Sequence, residues 1–261
     1  MSITPYCIFR RGRSPIVAAA VHQGHVTRDA VGAALALDNR GQLREEDPYT
    51  GEWAQVAHTQ IIGLRSRFEV DFNRPRDQAV YQVPEDAWGL NVWREPPSAE
   101  LVNASLQEYD VFYAATEKLL RQLVEEHGQV VVYDLHTYNH RRDGANAPPA
   151  DPIENPEVNI GTGTMDREYW APIIDRFISD LRAFDFNGRS LDVRENVKFQ
   201  GGGFGRWIHA TFPRRVCAIA IEFKKFFMDE WTGESDLDEV ERIFRALQST
   251  LPGVTAQLER R

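Results

Sequence analysis

The sequence predicts an α/β fold, a central sheet flanked by helices, and three observations carry that expectation. Val130-Val131-Val132-Tyr133 is a β-prone apolar run entered from Gly128 and left through a polar turn, the pattern of a strand buried on both faces. Ile16 to Val21 and Val216 to Ile221 are runs of the same kind. Between them lie long segments whose apolar residues recur every three or four positions, as on the inner face of a helix. At 261 residues one α/β domain over 1–261 is the simplest organisation, since such folds reach about 250 residues undivided.

In chain order, the Ile16–Val21 run ends in His22-Gln23-Gly24-His25. His22 follows the strand directly, and Gly24 lets a ligand approach the backbone closely. His25 is either a second ligand from the same turn or an exposed loop residue. Residues 38–53 are polar and turn-rich, and Glu45, Glu46 and Asp47 before Pro48 form either a solvated acidic turn or the carboxylate of a metal site. Ala57 to Val70 reads as strand-like and ends in Asp71-Phe72-Asn73-Arg74. An Asn-Arg pair at a strand end suits a carboxylate, because the guanidinium binds both oxygens and the amide adds a donor.

Residues 77–97, with three prolines and two tryptophans, read as an ordered loop over the site. A helix starts at Ser98, runs through Leu101, Tyr109, Phe112, Leu119 and Leu123, and closes at Gly128. The Val130 strand then delivers His136, and Asp134 two residues earlier points to the same face, where it can hold the imidazole. Two strands that each end in a histidine can aim both at one metal. Residues 140–163 read as loop. Thr164 is the expected cap of a helix carrying Tyr169, Ile173, Phe177 and Leu181 on one face. Phe199 to Arg206 is glycine-rich but lacks the Gly-Lys-Ser/Thr of a phosphate loop. Its glycines let backbone pass close to a ligand, with Arg206 aimed at it. The Val216 strand delivers Glu222, a carboxylate that is costly at the end of an apolar strand unless a partner or a metal meets it. Ser235 is the expected start of the last helix, with Leu237, Val240, Ile243, Phe244 and Leu247 inward and Pro252-Gly253 as its end.

Composition removes other classes. The net charge of −9, with no Lys/Arg block, argues against nucleic-acid binding. Two cysteines, Cys7 and Cys217, suggest no disulfide framework. No apolar run reaches the length of about 18 residues that a membrane span needs, and no apolar stretch follows Arg10, Arg11 and Arg13 as in a signal peptide. The cytoplasm is the expected compartment.

Two histidines, an acidic turn, an Asn-Arg pair, a glycine loop with an arginine and a strand-end glutamate stand in one order, and that order resembles the N-formylglutamate amidohydrolase family. The resemblance rests on Ser66-Arg67-Phe68-Glu69-Val70-Asp71-Phe72-Asn73-Arg74-Pro75, Asp134-Leu135-His136, Phe199-Gln200-Gly201-Gly202 with Arg206, and Ala218 to Glu222 leading to Met228-Asp229-Glu230. It implies a phosphorylase/hydrolase-like fold with a mixed sheet, related to aspartoacylases and zinc carboxypeptidases. It also implies one Zn2+ on His22, Asp47 and His136, with Glu46 or His25 as alternative third ligands. Glu222 is then the general base, Asn73, Arg74 and Arg206 bind substrate, and zinc together with one arginine, Arg206 being the catalytic candidate, steadies the developing oxyanion. The implied substrate is a small anionic N-acyl amino acid. The sequence departs from the pattern at Gln23, His25, Arg141, Arg142, Lys224 and Lys225. A carboxypeptidase-like or aspartoacylase-like hydrolase of another acylated amino acid or peptide stays open, as does a non-catalytic binding module.

Overall fold

The computed structural model describes residues 6–261. Its strands are β1 (Cys7–Arg10), β2 (Ile16–Ala20), β3 (Thr59–Gly63), β4 (Val130–Tyr138), β5 (Val158–Gly161), β6 (Val193–Glu195) and β7 (Val216–Lys224). They form one sheet in the order β1-β3-β2-β4-β7-β5-β6. Neighbours run parallel from β3 to β7, whereas β1 is antiparallel to β3 and β5 to β7. The α/β class and the mixed sheet are as expected. The helices are α1 (Asp29–Ala34), α2 (Asn39–Glu45), α3 (Thr50–Trp53), α4 (Ala99–His127), α5 (Arg167–Ala183), α6 (Gly203–Thr211) and α7 (Leu237–Leu258). None is long and apolar enough to cross a membrane.

Strand alternation distributes the core between two faces. Val17, Ala19, Val130 and Val132 pack with Phe112 and Leu120 of α4 and with Phe204 and Ile208 of α6. Ile16, Ala18, Val131 and Tyr133 pack with Ile173 and Phe177 of α5 and with Ile243 and Leu247 of α7. The central strands β2, β4 and β7 are covered on both sides, so they read as apolar runs. The shorter β1, β5 and β6 carry polar residues such as Asn159 and Arg194, and the sequence did not reveal them as strands.

The helix from Ser98 forms as expected: the Ser98 side chain accepts from Leu101 N, and Gly128 is its C-cap. Three elements differ at their boundaries. The strand expected over Ala57–Val70 leaves the sheet after Gly63, and Glu69 N and Val70 N turn back onto the Ser66 carbonyl. The apolar alternation of Phe68, Val70 and Phe72 is real, but Glu69 and Asp71 between them are fully buried and need charged partners that a sheet ladder does not supply. Helix α5 is capped by Asp166, which accepts from Tyr169 N, while Thr164 pairs instead with His209. Helix α7 is capped by Asp236, leaves Leu237 exposed in its first turn, and continues through Pro252 to Leu258. Pro252 removes one hydrogen bond, but Gly253 lies against Arg176 and Asp180 of α5 and Val254 is fully buried. Packing on both sides holds the helix past the proline.

The turn after β2 is the tightest point near the site. A Cβ on Gly24 would stand 2.1 Å from the Leu64 carbonyl carbon and 2.4 Å from the Arg65 oxygen, and this is main chain that cannot swing away. Gly24→Ala should therefore destabilise the fold by about 1–3 kcal/mol, read as a lower urea midpoint at unchanged slope. An unchanged midpoint would show that the two segments separate easily.

Candidate active site

The acidic turn before Pro48 is not solvated. Glu45, Glu46 and Asp47 are 5%, 1% and 2% exposed, and cations hold the main chain that carries them. Lys225 Nζ donates to the carbonyls of Arg44 (2.5 Å) and Glu46 (2.8 Å), and Arg67 Nη1 donates to that of Glu45 (3.1 Å). Asp47 N then donates to the His22 carbonyl at 3.0 Å, which fixes the turn against the end of β2.

His22 and His136 meet the same carboxylate. Their Nδ1 atoms lie 3.2 and 3.0 Å from Asp47 Oδ2, and the ring centroids are 5.2 Å apart. The far nitrogens are held by two further aspartates, His22 Nε2 by Asp71 Oδ1 at 2.7 Å and His136 Nε2 by Asp134 Oδ1 at 3.0 Å. Thr137 Oγ1 donates to Asp47 Oδ1 at 3.2 Å. Burial alone raises Asp47, but when both rings are protonated the hydrogen bonds and charges of His136 and His22 outweigh it and hold the carboxyl well below the usual carboxylate range.

This donor set fits a cation. When each Nε2 carries the hydrogen for its outer aspartate, both inner Nδ1 atoms present lone pairs to the Asp47 carboxylate. Three acceptors facing one another repel unless protons or a positive ion lie between them. One ligand atom from each of the three residues lies within 4.8 Å of the other two, close enough for a single ion. The alternatives for the third ligand are engaged elsewhere. Glu46 accepts from Ser66 Oγ at 2.5 Å and pairs with His25 Nδ1 at 2.5 Å, and His25 Nε2 reaches Asn39. That bond to Glu46 moves the His25 pKa up to about 9.

Glu222 stands beside His136 in the β4–β7 register. Burial, helped by the charges of Asp47 and Asp134, pushes its carboxyl up to about 7, the range of a group that takes and returns protons near neutrality. Both residues line a cavity of about 780 Å³. Asn73, Arg74 and Arg206 reach the same cavity, so every residue expected at the site is brought together there. Asn73 has a structural task as well: its Oδ1 accepts from Phe204 N at 2.9 Å at the start of α6. The glycines of that loop are needed there, since a Cβ on Gly202 would lie 2.2 Å from Asn73 Oδ1.

Sequence reasoning passed over Asp71, Arg67 and Lys225. Asp71 orients His22 as Asp134 orients His136 and also pairs with Arg67 at 2.8 Å. Tyr81 hydroxyl donates to it as well. Two acids between buried apolar residues, Glu69 and Asp71, were the available signal.

The profile of the N-formylglutamate amidohydrolase family matches residues 14–228. The chain belongs to that family. Its members hydrolyse a non-peptide amide C–N bond. An N-formylglutamate deformylase of Pseudomonas aeruginosa is similar at 26% identity, covering 93% of this chain and 94% of that protein. Among solved structures, an N-formylglutamate amidohydrolase from Ralstonia eutropha shares the fold at a TM-score of 0.75 and 15% identity over 98% of both chains. A gene product of Agrobacterium tumefaciens does so at 0.71 and 16%, covering 98% of this chain and 97% of the other.

The geometry of the ligand set gives a direct expectation. His136→Ala should abolish stoichiometric binding of one divalent ion per chain, measured by elemental analysis after dialysis. Asp71→Asn, which leaves all three ligands in place, should weaken binding by about 10- to 100-fold. Full metal retention in His136→Ala would exclude this site as the holder.

Proposed function

We propose that this chain hydrolyses the amide bond of an N-formyl amino acid such as N-formylglutamate, with one zinc ion held by His22, Asp47 and His136. The observation that carries the reading is the convergence of two outer-tethered imidazoles on one buried carboxylate, with Glu222 beside them in the same cavity. Zinc suits a set of two nitrogens and one carboxylate with an open side, and when bound it polarises a carbonyl and acidifies water.

The chain's own groups divide the remaining work. Glu222 takes a proton from the attacking water as the C–O bond forms, then returns it to the nitrogen as the C–N bond breaks. Its raised pKa suits both halves of that exchange. Arg74 and Arg206 take the free carboxylate of the amino acid. Arg74 is aimed by its bond to the Asp86 carbonyl at 3.2 Å and by the Tyr81 ring, 5.6 Å away. Asn73 Oδ1 holds the start of α6, from which Arg206 projects, and its Nδ2, which has no partner among the described residues, can donate to the same anion. Arg67, fixed by Asp71 and facing the cavity, is a second cation able to steady charge that develops on the carbonyl oxygen.

One feature favours a second reading within the same chemistry. A cavity of about 780 Å³ holds more than a formyl group, so a larger N-acyl amino acid is the alternative substrate. The convergence of His22, Asp47 and His136 with Glu222 in one cavity supports the hydrolase reading over a non-catalytic binding module.

Glu222→Gln should keep its metal and melting temperature while losing at least about 100-fold in turnover of N-formylglutamate. Near wild-type turnover would remove Glu222 from the mechanism. Arg74→Ala should cost about 2–3 kcal/mol in transition-state terms on carboxylate-bearing substrates and far less on neutral formamides. Steady-state kinetics on matched pairs measure this, and equal losses on both would make Arg74 structural.

A further inference from the structure

Six cationic side chains line the cavity against three carboxylates, and they differ in what already occupies them. Arg67 is matched by Asp71, and Arg142 by Glu45 at 2.9 Å. Lys225 is buried and bonded to two main-chain carbonyls. Arg74, Arg206 and Lys198 are different: among the described residues no carboxylate oxygen comes within the 4.0 Å of an ion pair to any of them. Two arginines suffice for one carboxylate, which leaves the lysine.

Lys198 is held as though for a ligand. Its Nζ donates to Asn155 Oδ1 at 2.6 Å and lies 5.5 and 5.8 Å from the centres of the Tyr138 and Phe199 rings. Asn155 is itself buried, with its Nδ2 on the Asp151 carbonyl at 2.8 Å. The anchor is therefore rigid and uncharged, so it places the ammonium without neutralising it. Partial burial, helped by the charge of Arg142 on the same cavity and opposed by that of Glu154, moves the lysine below its ordinary pKa. Arg142 already has Glu45 as its partner, whereas among the described residues no carboxylate oxygen reaches Lys198, so an incoming anion supplies the lysine with the charged partner it lacks.

We propose that Lys198 is the residue that binds the side-chain carboxylate of the substrate, and that it sets the margin by which an acidic side chain is preferred to its neutral isostere. The inference rests on the hydrolase reading above and adds to it a specificity-determining residue outside the matched motifs.

Kinetics with N-formylglutamate and its isostere N-formylglutamine test it. Lys198 is exposed, so Lys198→Met should fold with an unchanged melting temperature. It should lower kcat/KM for N-formylglutamate by about 10- to 100-fold, mainly through KM, and change that for N-formylglutamine by less than about twofold. Lys198→Arg should recover part of the loss. Equal losses on both substrates, or none on either, would overturn the assignment. Calorimetric binding of glutarate against its monoamide, which needs no turnover, separates the two levels. If wild type cleaves neither substrate, the hydrolase reading fails. Lys198 is then judged on glutarate alone, and a wild type that does not prefer the dianion, or keeps its preference in Lys198→Met, overturns the assignment.

Discussion

Three buried aspartates around two imidazoles constrain the centre of this protein. Asp47, Asp71 and Asp134 are 2%, 0% and 0% exposed, and an ionised carboxylate out of water is strongly unfavourable unless it is paired and hydrogen-bonded. They arrive from separate places: the turn before Pro48, the turns that follow β3, and the middle of β4. Asp47 meets both imidazoles and Asp71 meets His22, so neither finds these partners until the segments have closed, whereas Asp134 meets His136 two residues on in the same strand. Folding of the loops and assembly of the site are therefore one event. The outer two aspartates lie within hydrogen-bond distance of the two Nε2 atoms and so orient both rings with Nδ1 toward Asp47.

Around this centre the cations do two kinds of work. Arg67 and Lys225 hold the carbonyls of residues 44–46 and thereby carry Asp47 to the end of β2. Arg74, Arg206 and Lys198 face open space. The chain as a whole has a net charge of −9, yet the lining of its cavity is cationic, and charge of one sign in a low-dielectric cleft concentrates ligands of the other. An acidic exterior with a basic pocket favours small anions over the polyanions that a basic surface would attract.

Much of the candidate site was legible because parallel strands deliver side chains at their carboxyl ends. His22, His136 and Glu222 each follow an apolar run, and Asp134 stands two residues before His136, where strand geometry places it on the same side. Glu45, Glu46 and Asp47 could not be told apart, since all three sit in one turn of uniform polarity. What separates them is the partner each meets: Arg142 for Glu45, Ser66 and His25 for Glu46, both histidines for Asp47. Asp71 was hidden because its alternation with Phe68, Val70 and Phe72 imitates a strand.

The sequence by itself determined the α/β class, the strands β2, β4 and β7, the long helix from Ser98, and the order in which the candidate ligands and the candidate base appear. Those properties follow from local pattern: apolar runs, helical periodicity, and caps that act within a few residues. Tertiary structure alone decided the edge strands, the path of α7 beyond Pro252, the partners that separate Asp47 from Glu45 and Glu46, and the tethering of both imidazoles. Each of these depends on contacts between segments far apart in the chain, as when Gly253 meets α5 or Lys225 reaches back to Arg44 and Glu46. A residue's type states what partner it needs, and only the closed fold states which one it finds.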